Sequence, residues 1–211
     1  MTFTNFIFDL DGPLLDGKQR HYQCYTQILQ EFDCPVLAAD EYWQMKRERR
    51  NRREQLAATG AEEHYDEFLR RWLERIEEKK YLALDVLQTD ALSLLSRLQQ
   101  ENKCLILATL RQNAHHLYEQ LGELKIQHFF QHIVAVDSQD SVDKAAAVRA
   151  ILQGKSGSTL WIGDTEIDSQ SANKLGLPVA LVSNGLRTRD YLAGLSPTYL
   201  GNNLTEVFRL W

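Results

Sequence analysis

The stretch Asn5-Phe-Ile-Phe-Asp-Leu-Asp-Gly-Pro-Leu-Leu-Asp16 decides how this chain is read. A short apolar run, Phe6 to Phe8, delivers Asp9 and Asp11, and Gly12-Pro13 then turns the chain. In an extended segment, residues two apart point to the same side. Two carboxylates held together at a strand end repel each other, and such pairs persist where a cation or a reaction needs them.

Working outward, the next segment carries helical periodicity. Tyr22, Tyr25, Ile28, Leu29 and Phe32 recur at spacings of three and four, predicting a helix over Lys18–Phe32. Residues 33–39 contain Pro35 and form a connection, and Asp40 is the expected N-cap of a helix running to Thr59-Gly60. A third helix is expected over 61–80, with Tyr65, Phe68, Leu69, Trp72, Leu73 and Ile76 on one face. Residues 17–80 therefore form a helical insertion after the first strand.

Beyond it the pattern alternates. Helix is predicted over 90–101, 113–121, 144–152, 168–175, 188–192 and 205–210. Between these lie CLILAT (104–109), HIVAV (132–136), STLWIGD (158–164), PVALVS (178–183) and a short edge strand at 198–200. Strands apolar throughout and alternating with helices indicate a parallel sheet covered on both faces. The fold class is α/β, Rossmann-like, with a core of residues 1–16 and 81–211 and an inserted helical domain at 17–80.

Composition narrows the function classes. The chain has 211 residues, 44% hydrophobic and 25% charged, with net charge −5. That suits one sizeable domain carrying an insertion and argues against nucleic acid as a partner. No basic-then-apolar leader and no run near ~20 apolar residues is visible, so a cytoplasmic protein without membrane association is expected. Cys24, Cys34 and Cys104 are odd in number and lack CxxC spacing, and read as reduced thiols.

In a doubly wound sheet, sites form outside the carboxyl ends of the strands. Four such positions carry polar residues: Asp9 with Asp11, Thr109, Lys144, and Gly163-Asp164-Thr-Glu-Ile-Asp168. Clustered carboxylates suit a hard, oxygen-seeking cation, and Mg²⁺ with retained waters fits better than a calcium cage. A hydroxyl and a lysine opposite it would hold a phosphoryl group. One carboxylate facing phosphorus serves as a nucleophile and a second as a general acid and base.

Asp9-Leu10-Asp11-Gly12, Thr109 after an apolar strand, Lys144, and Gly163-Asp164-x-x-x-Asp168 together resemble, in order, the haloacid dehalogenase superfamily. The resemblance is to its phosphatase-like members with a C1-type helical cap, such as phosphoglycolate phosphatases and beta-phosphoglucomutases. It implies that residues 17–80 are the cap, whose closure would exclude water. It further implies that Asp9 attacks phosphorus and Asp11 protonates the leaving group, then activates water. Thr109 and the N–H of Leu110 would bind phosphoryl oxygens, and Lys144 would neutralise them. Asp9, the carbonyl of Asp11 and Asp164 would hold Mg²⁺, with Asp168 in or near the outer shell. Dehalogenating members lack an acid at the position of Asp11, so phosphoryl transfer from a small phosphorylated metabolite is the implied chemistry. The implied alternatives are a phosphomutase using the same residues and a non-enzymatic phosphate-binding protein. Pro13 departs from the pattern, which commonly has threonine there.

Several features compete for a role. Lys155 lies near Lys144, but Lys144 directly starts the predicted helix and is preferred. Lys46–Arg53, KRERRNRR, holds six basic residues in eight. It reads first as a solvated helix face. The sharper expectation puts Arg47 and Arg50 on one helix face lining a cleft, where they attract an anionic substrate tail. Gly154-Lys155-Ser156 resembles the end of a P-loop, but Arg149 stands where its first glycine is required. His115-His116 lacks spacing to a third metal ligand. A monomer or weak homodimer is expected.

Overall fold

The computed structural model describes residues 3–137, 143–153 and 157–210. Gly154, Lys155 and Ser156 lie outside the described residues. The fold divides into two compact units, one holding the residues through Asp16 and from Leu87 onward, the other Gly17–Val86.

The first unit is built on a six-stranded sheet: β1 Phe3–Phe8, β2 Cys104–Leu110, β3 His132–Val136, β4 Ser158–Gly163, β5 Val179–Val182 and β6 Tyr199–Gly201. Their order is β3-β2-β1-β4-β5-β6, with every pairing parallel. Register places Ile7 between Ile106 and Trp161. Alternation along the strands sends side chains to two separate cores. Phe6, Phe8, Leu105, Leu107, Leu160 and Ile162 share one face. There they meet Leu94, Leu95 and Leu98 of the helix Ala91–Gln100 and Leu117 and Leu121 of the helix Ala114–Glu123. Ile7, Ile106, Ala108, Trp161 and Leu181 share the other with Val148 and Ala172 of the helices Lys144–Leu152 and Glu166–Leu175. Burial on both faces is why these strands are continuous apolar runs. The Rossmann-like α/β class read from them is the observed one.

The second unit is helical. Tyr25, Ile28, Leu29, Tyr42, Leu56, Phe68 and Trp72 form its core, and the Tyr25 and Tyr42 rings stack with centroids 4.4 Å apart. Tyr81 joins the same core, which carries the helical unit past residue 80 to Val86. The single helix expected from Asp40 to Gly60 is two, Ala39–Arg47 and Arg52–Ala57. Arg49 adopts φ 61°, and the N–H of Arg50 returns to the Met45 carbonyl at 2.9 Å, closing the first helix. Asn51 opens the second through a capping box with Glu54. Asp40 is not a cap; it lies in the first turn and pairs with Lys18 at 2.6 Å. The helix expected over 61–80 is likewise divided, into Tyr65–Arg75 and Lys79–Leu82 after a 3₁₀ turn at Glu62–His64. Among the described residues, no helix is long and apolar enough to cross a membrane.

Candidate active site

The site gathers where β1, β2 and β4 end side by side in the middle of the sheet. Asp9 follows β1 directly, and its N–H continues the ladder to the Ile162 carbonyl at 2.9 Å. Thr109 lies at the end of β2 and Asp164 immediately after β4. Lys144 opens the helix Lys144–Leu152, whose N-cap Asp143 accepts from Ala146 N–H at 3.1 Å. Four elements thus deliver Asp9, Thr109, Asp164 and Lys144 to one edge of the sheet.

Oxygens of Asp9, Asp164 and Asp168 lie within 4.8 Å of one another, and all three residues are buried. One ammonium sits among them. Lys144 Nζ is 2.7 Å from Asp9 Oδ2 and 3.0 Å from Asp168 Oδ1. Burial opposes its charge, but the Asp168 and Asp9 carboxylates outweigh that penalty and hold its pKa above the usual lysine value. The acids respond in the opposite sense. Burial pushes Asp9 up to about 7; Lys144 pulls it down, while the charges of Asp168 and Asp11 add to the rise. Burial, then repulsion from Asp9 and Asp168, lifts Asp164 well above the ordinary carboxylate range. Three buried carboxylates around one lysine are short of positive charge.

Among the described residues, the buried atoms Thr109 Oγ1 and Asp164 Oδ1 have no hydrogen-bond partner. The other Asp164 oxygen, Oδ2, accepts from Leu186 N–H at 2.5 Å. Leaving a buried polar atom unpaired costs about 1–3 kcal/mol, so each invites a ligand. Asp164 Oδ1 is an anionic oxygen donor of the kind Mg²⁺ takes, and Thr109 Oγ1 a hydroxyl donor for an oxyanion. The residues therefore fit a hard divalent cation beside a phosphoryl group.

Asp168 is differently placed. Its Oδ1 accepts from Lys144 Nζ and, at 3.2 Å, from Trp161 Nε1. Its Oδ2 accepts from Thr165 Oγ1 at 2.8 Å and Thr165 N–H at 3.2 Å. With its oxygens so engaged, Asp168 fixes the helix start and holds Lys144.

The turn after Asp9 is closed tightly. Leu15 N–H bonds the Leu10 carbonyl at 3.0 Å and Gly12 N–H the Leu15 carbonyl at 2.9 Å. Pro13 is buried inside this turn and has no N–H to donate. Gly12 has φ 96°, and a Cβ there would fall 2.1 Å from Asp164 Oδ2. A Cβ on Gly185 would fall 2.0 Å from the same oxygen. Only glycine lets these two backbones clamp the carboxylate.

Leu110 is the last residue of β2. Arg111 N–H bonds the Val136 carbonyl on β3 at 3.0 Å, so by alternation the Leu110 N–H faces the other way, toward the β1 side. Asp11 lies outside the three-acid cluster, and its Oδ1 is 3.0 Å from Arg111 Nη2. Reading the sequence singled out neither Arg111, the Gly185-Leu186 backbone, nor Trp161 as part of the site. Arg111 and Leu186 act through contacts between distant segments, which no local spacing announces, and Trp161 through an indole N–H on Asp168, seven residues on.

Arg47 and Arg50 are not brought together on a helix. Arg47 ends the helix Ala39–Arg47, and Arg50 is exposed in the break that follows, 3.2 Å from Glu54 Oε1. Their expected common face does not exist. Arg52 of the same run instead lays its guanidinium over Trp72, 4.2 Å from the ring centroid.

A family model described as haloacid dehalogenase-like hydrolase matches residues 6–182. No curated protein matches the chain. Among solved structures, a haloacid dehalogenase-like hydrolase from Streptococcus pneumoniae superposes with TM-score 0.79 at 20% identity, covering 98% of this chain and 97% of its own. A protein described as a predicted phosphoglycolate phosphatase from Haemophilus somnus gives 0.78 at 17%, covering 100% and 99%. Protein tyrosine kinase A of Mycobacterium tuberculosis gives 0.78 at 21%, covering 99% and 97%. At these identities the superpositions speak for the fold, whereas the family model spans the sheet from β1 to β5. This chain belongs to the haloacid dehalogenase-like hydrolase family.

Proposed function

We propose that the protein is a Mg²⁺-dependent phosphatase that hydrolyses a small phosphate monoester through an aspartyl-phosphate on Asp9. One observation carries the reading: Asp9 is flanked by an orphaned hydroxyl, Thr109 Oγ1, and an orphaned carboxylate oxygen, Asp164 Oδ1. A phosphoryl group and a divalent cation would satisfy both. The phosphatase description of the Haemophilus somnus structure supports the same substrate class.

In the first step an Asp9 oxygen attacks phosphorus as the bond to the leaving oxygen breaks, and Asp11 gives that oxygen its proton. Water then attacks phosphorus, passes a proton to Asp11, and the Asp9 carboxylate departs. Phosphate is released, with Asp11 protonated and Asp9 ionised as at the start. Thr109 Oγ1–H and Leu110 N–H donate to the phosphoryl oxygens, and Lys144 offsets their charge while steadying Asp9. Held by Asp9, the Asp11 carbonyl and Asp164, Mg²⁺ would supply the positive charge that the carboxylate cluster lacks and polarise the phosphoryl group. Asp168 keeps Lys144 in register.

The test is phosphate release from p-nitrophenyl phosphate and a panel of phosphorylated metabolites, with Mg²⁺ and with chelator, for wild type and Asp9→Asn. The reading expects release that needs both Mg²⁺ and Asp9. Isomerisation of a sugar phosphate without phosphate release would make the protein a mutase. Absence of metal-dependent turnover on every phosphoester would favour a binding protein.

A further inference from the structure

We propose that Arg111 is a positioning residue that sets the carboxyl group of Asp11 for proton delivery to the leaving oxygen; this rests on the phosphatase reading above. Asp11 follows Asp9 by two residues, yet its side chain is drawn away from the three-acid cluster by the Arg111 guanidinium. The contact, Arg111 Nη2 to Asp11 Oδ1 at 3.0 Å, spans a hundred residues of sequence and joins the end of β2 to the loop after β1. Arg111 is itself 4% exposed and Asp11 partly exposed, so the contact has a buried root and an accessible tip.

Two anchors fix the arginine. Its backbone N–H is tied to the Val136 carbonyl at 3.0 Å. Its Nη2 also reaches Oε1 of the buried Gln120, on the helix Ala114–Glu123, at 3.4 Å. A guanidinium is planar and presents its donors in a fixed fork, so an arginine held at backbone and tip imposes a direction on the carboxylate that meets it. Without it Asp11 has a wider range of rotamers, and the chain offers Lys144 as an alternative cation close to Asp9. Drawn there, Asp11 would crowd the nucleophile and leave its proton out of reach of the leaving oxygen. A misplacement of about 1 Å can cost on the order of 100-fold in rate. Directing Asp11 outward separates the acid from the nucleophile, which is what the two roles require.

A residue that positions a general acid has a signature that a purely structural residue lacks. Proton delivery matters for a poor leaving group and little for a good one. The experiment compares wild type, Arg111→Gln, Arg111→Lys and Gln120→Met on p-nitrophenyl phosphate and on unsubstituted phenyl and alkyl phosphates, with Asp11→Asn and the Asp11→Asn/Arg111→Gln double variant alongside. Arg111→Gln should lower kcat/KM, which reports phosphoryl transfer to Asp9 and not hydrolysis of the adduct, on the alkyl phosphate by on the order of 100-fold and on p-nitrophenyl phosphate by no more than about 3-fold. Arg111→Lys should recover part of the loss, and the double variant should be no slower than Asp11→Asn alone. Should Arg111→Gln fail to fold, Gln120→Met, which loosens the arginine without removing it, should show the same leaving-group dependence in milder form. An equal loss of kcat/KM on all leaving groups, losses that multiply in the double variant, or a change confined to KM overturns the positioning role while hydrolysis stands. Turnover that survives Asp9→Asn overturns the hydrolytic reading and this role with it.

Discussion

Each of the two units buries charge, and they do so differently. In the helical unit, Arg20 and Asp85 form a pair at 3.0 Å with both side chains almost wholly out of solvent. It is one cation against one anion. Around them, Arg70, Arg71 and Arg75 meet Glu67, Glu74 and Glu31 on the surface, where such pairs contribute little. At the end of the sheet, Asp9, Asp164 and Asp168 surround the ammonium of Lys144, and among the described residues Thr109 Oγ1 and Asp164 Oδ1 are left without hydrogen-bond partners. In a balanced buried pair the two charges offset each other within the fold. An unbalanced cluster is incomplete, and what it lacks, positive charge and an oxyanion, describes its ligands.

That contrast can be broken at several points. The largest expected effect is on turnover: Asp9→Asn should reduce phosphate release by on the order of 10⁴-fold or more, as loss of a nucleophile does in other enzymes, with the far-UV circular dichroism spectrum unchanged. Stability should then separate the two regions by sign. Asp85→Asn strands the buried Arg20 guanidinium and should cost about 3 kcal/mol in urea denaturation. Asp164→Asn in metal-free protein removes one of the repelling carboxylates and should be neutral or stabilising, by up to about 1 kcal/mol. Mg²⁺ should raise the melting temperature of wild type but not of Asp164→Asn, because only a native state that binds the ion gains from it. Destabilisation of both by equal amounts would remove the distinction between the regions.

Glycine substitutions sharpen the same comparison on a smaller scale. In the helical unit, Gly60 has φ 70°, and a Cβ added there would meet nothing within 4 Å. Gly60→Ala should therefore cost only the backbone strain, about 1 kcal/mol. At Gly185 the added methyl meets Asp164 Oδ2 head on. Gly185→Ala should weaken Mg²⁺ binding by titration calorimetry, at least 10-fold if the clamp costs about 1.4 kcal/mol when displaced. The smallest effect belongs to Arg50, exposed and paired with Glu54. Arg50→Ala should change stability by less than about 0.5 kcal/mol and leave KM for a phosphoester substrate within about 2-fold, measured by steady-state kinetics.

These regions also differed in how far they could be read from residues alone. The sheet was legible because strands covered on both faces must be apolar throughout, and CLILAT and STLWIGD have no other comfortable place. The candidate site residues were legible because Asp9, Thr109 and Asp164 stand at or just after the end of such an element, and Lys144 opens the helix Lys144–Leu152. Arg111 and Leu186 were not legible: their contacts depend on which strands are neighbours, and the Leu186 contact uses a backbone N–H that any residue supplies. In the helical unit, periodicity located the apolar face but overran its breaks. Asn51 and Glu54 form a capping box inside the basic run, a signal that the density of arginines concealed. The left-handed Arg49 gave no sign at all, since arginine has no preference for that conformation.

The central claim is that Asp9 carries the phosphoryl group. It is tested most directly by quenching the Mg²⁺-loaded protein in acid during turnover of a phosphoester and locating the covalent phosphate by peptide mass spectrometry. The expected result is a phosphoryl adduct on the peptide holding Asp9, labile to hydroxylamine and absent from Asp9→Asn. A phosphoryl adduct on another residue, or undiminished turnover by Asp9→Asn, would contradict it.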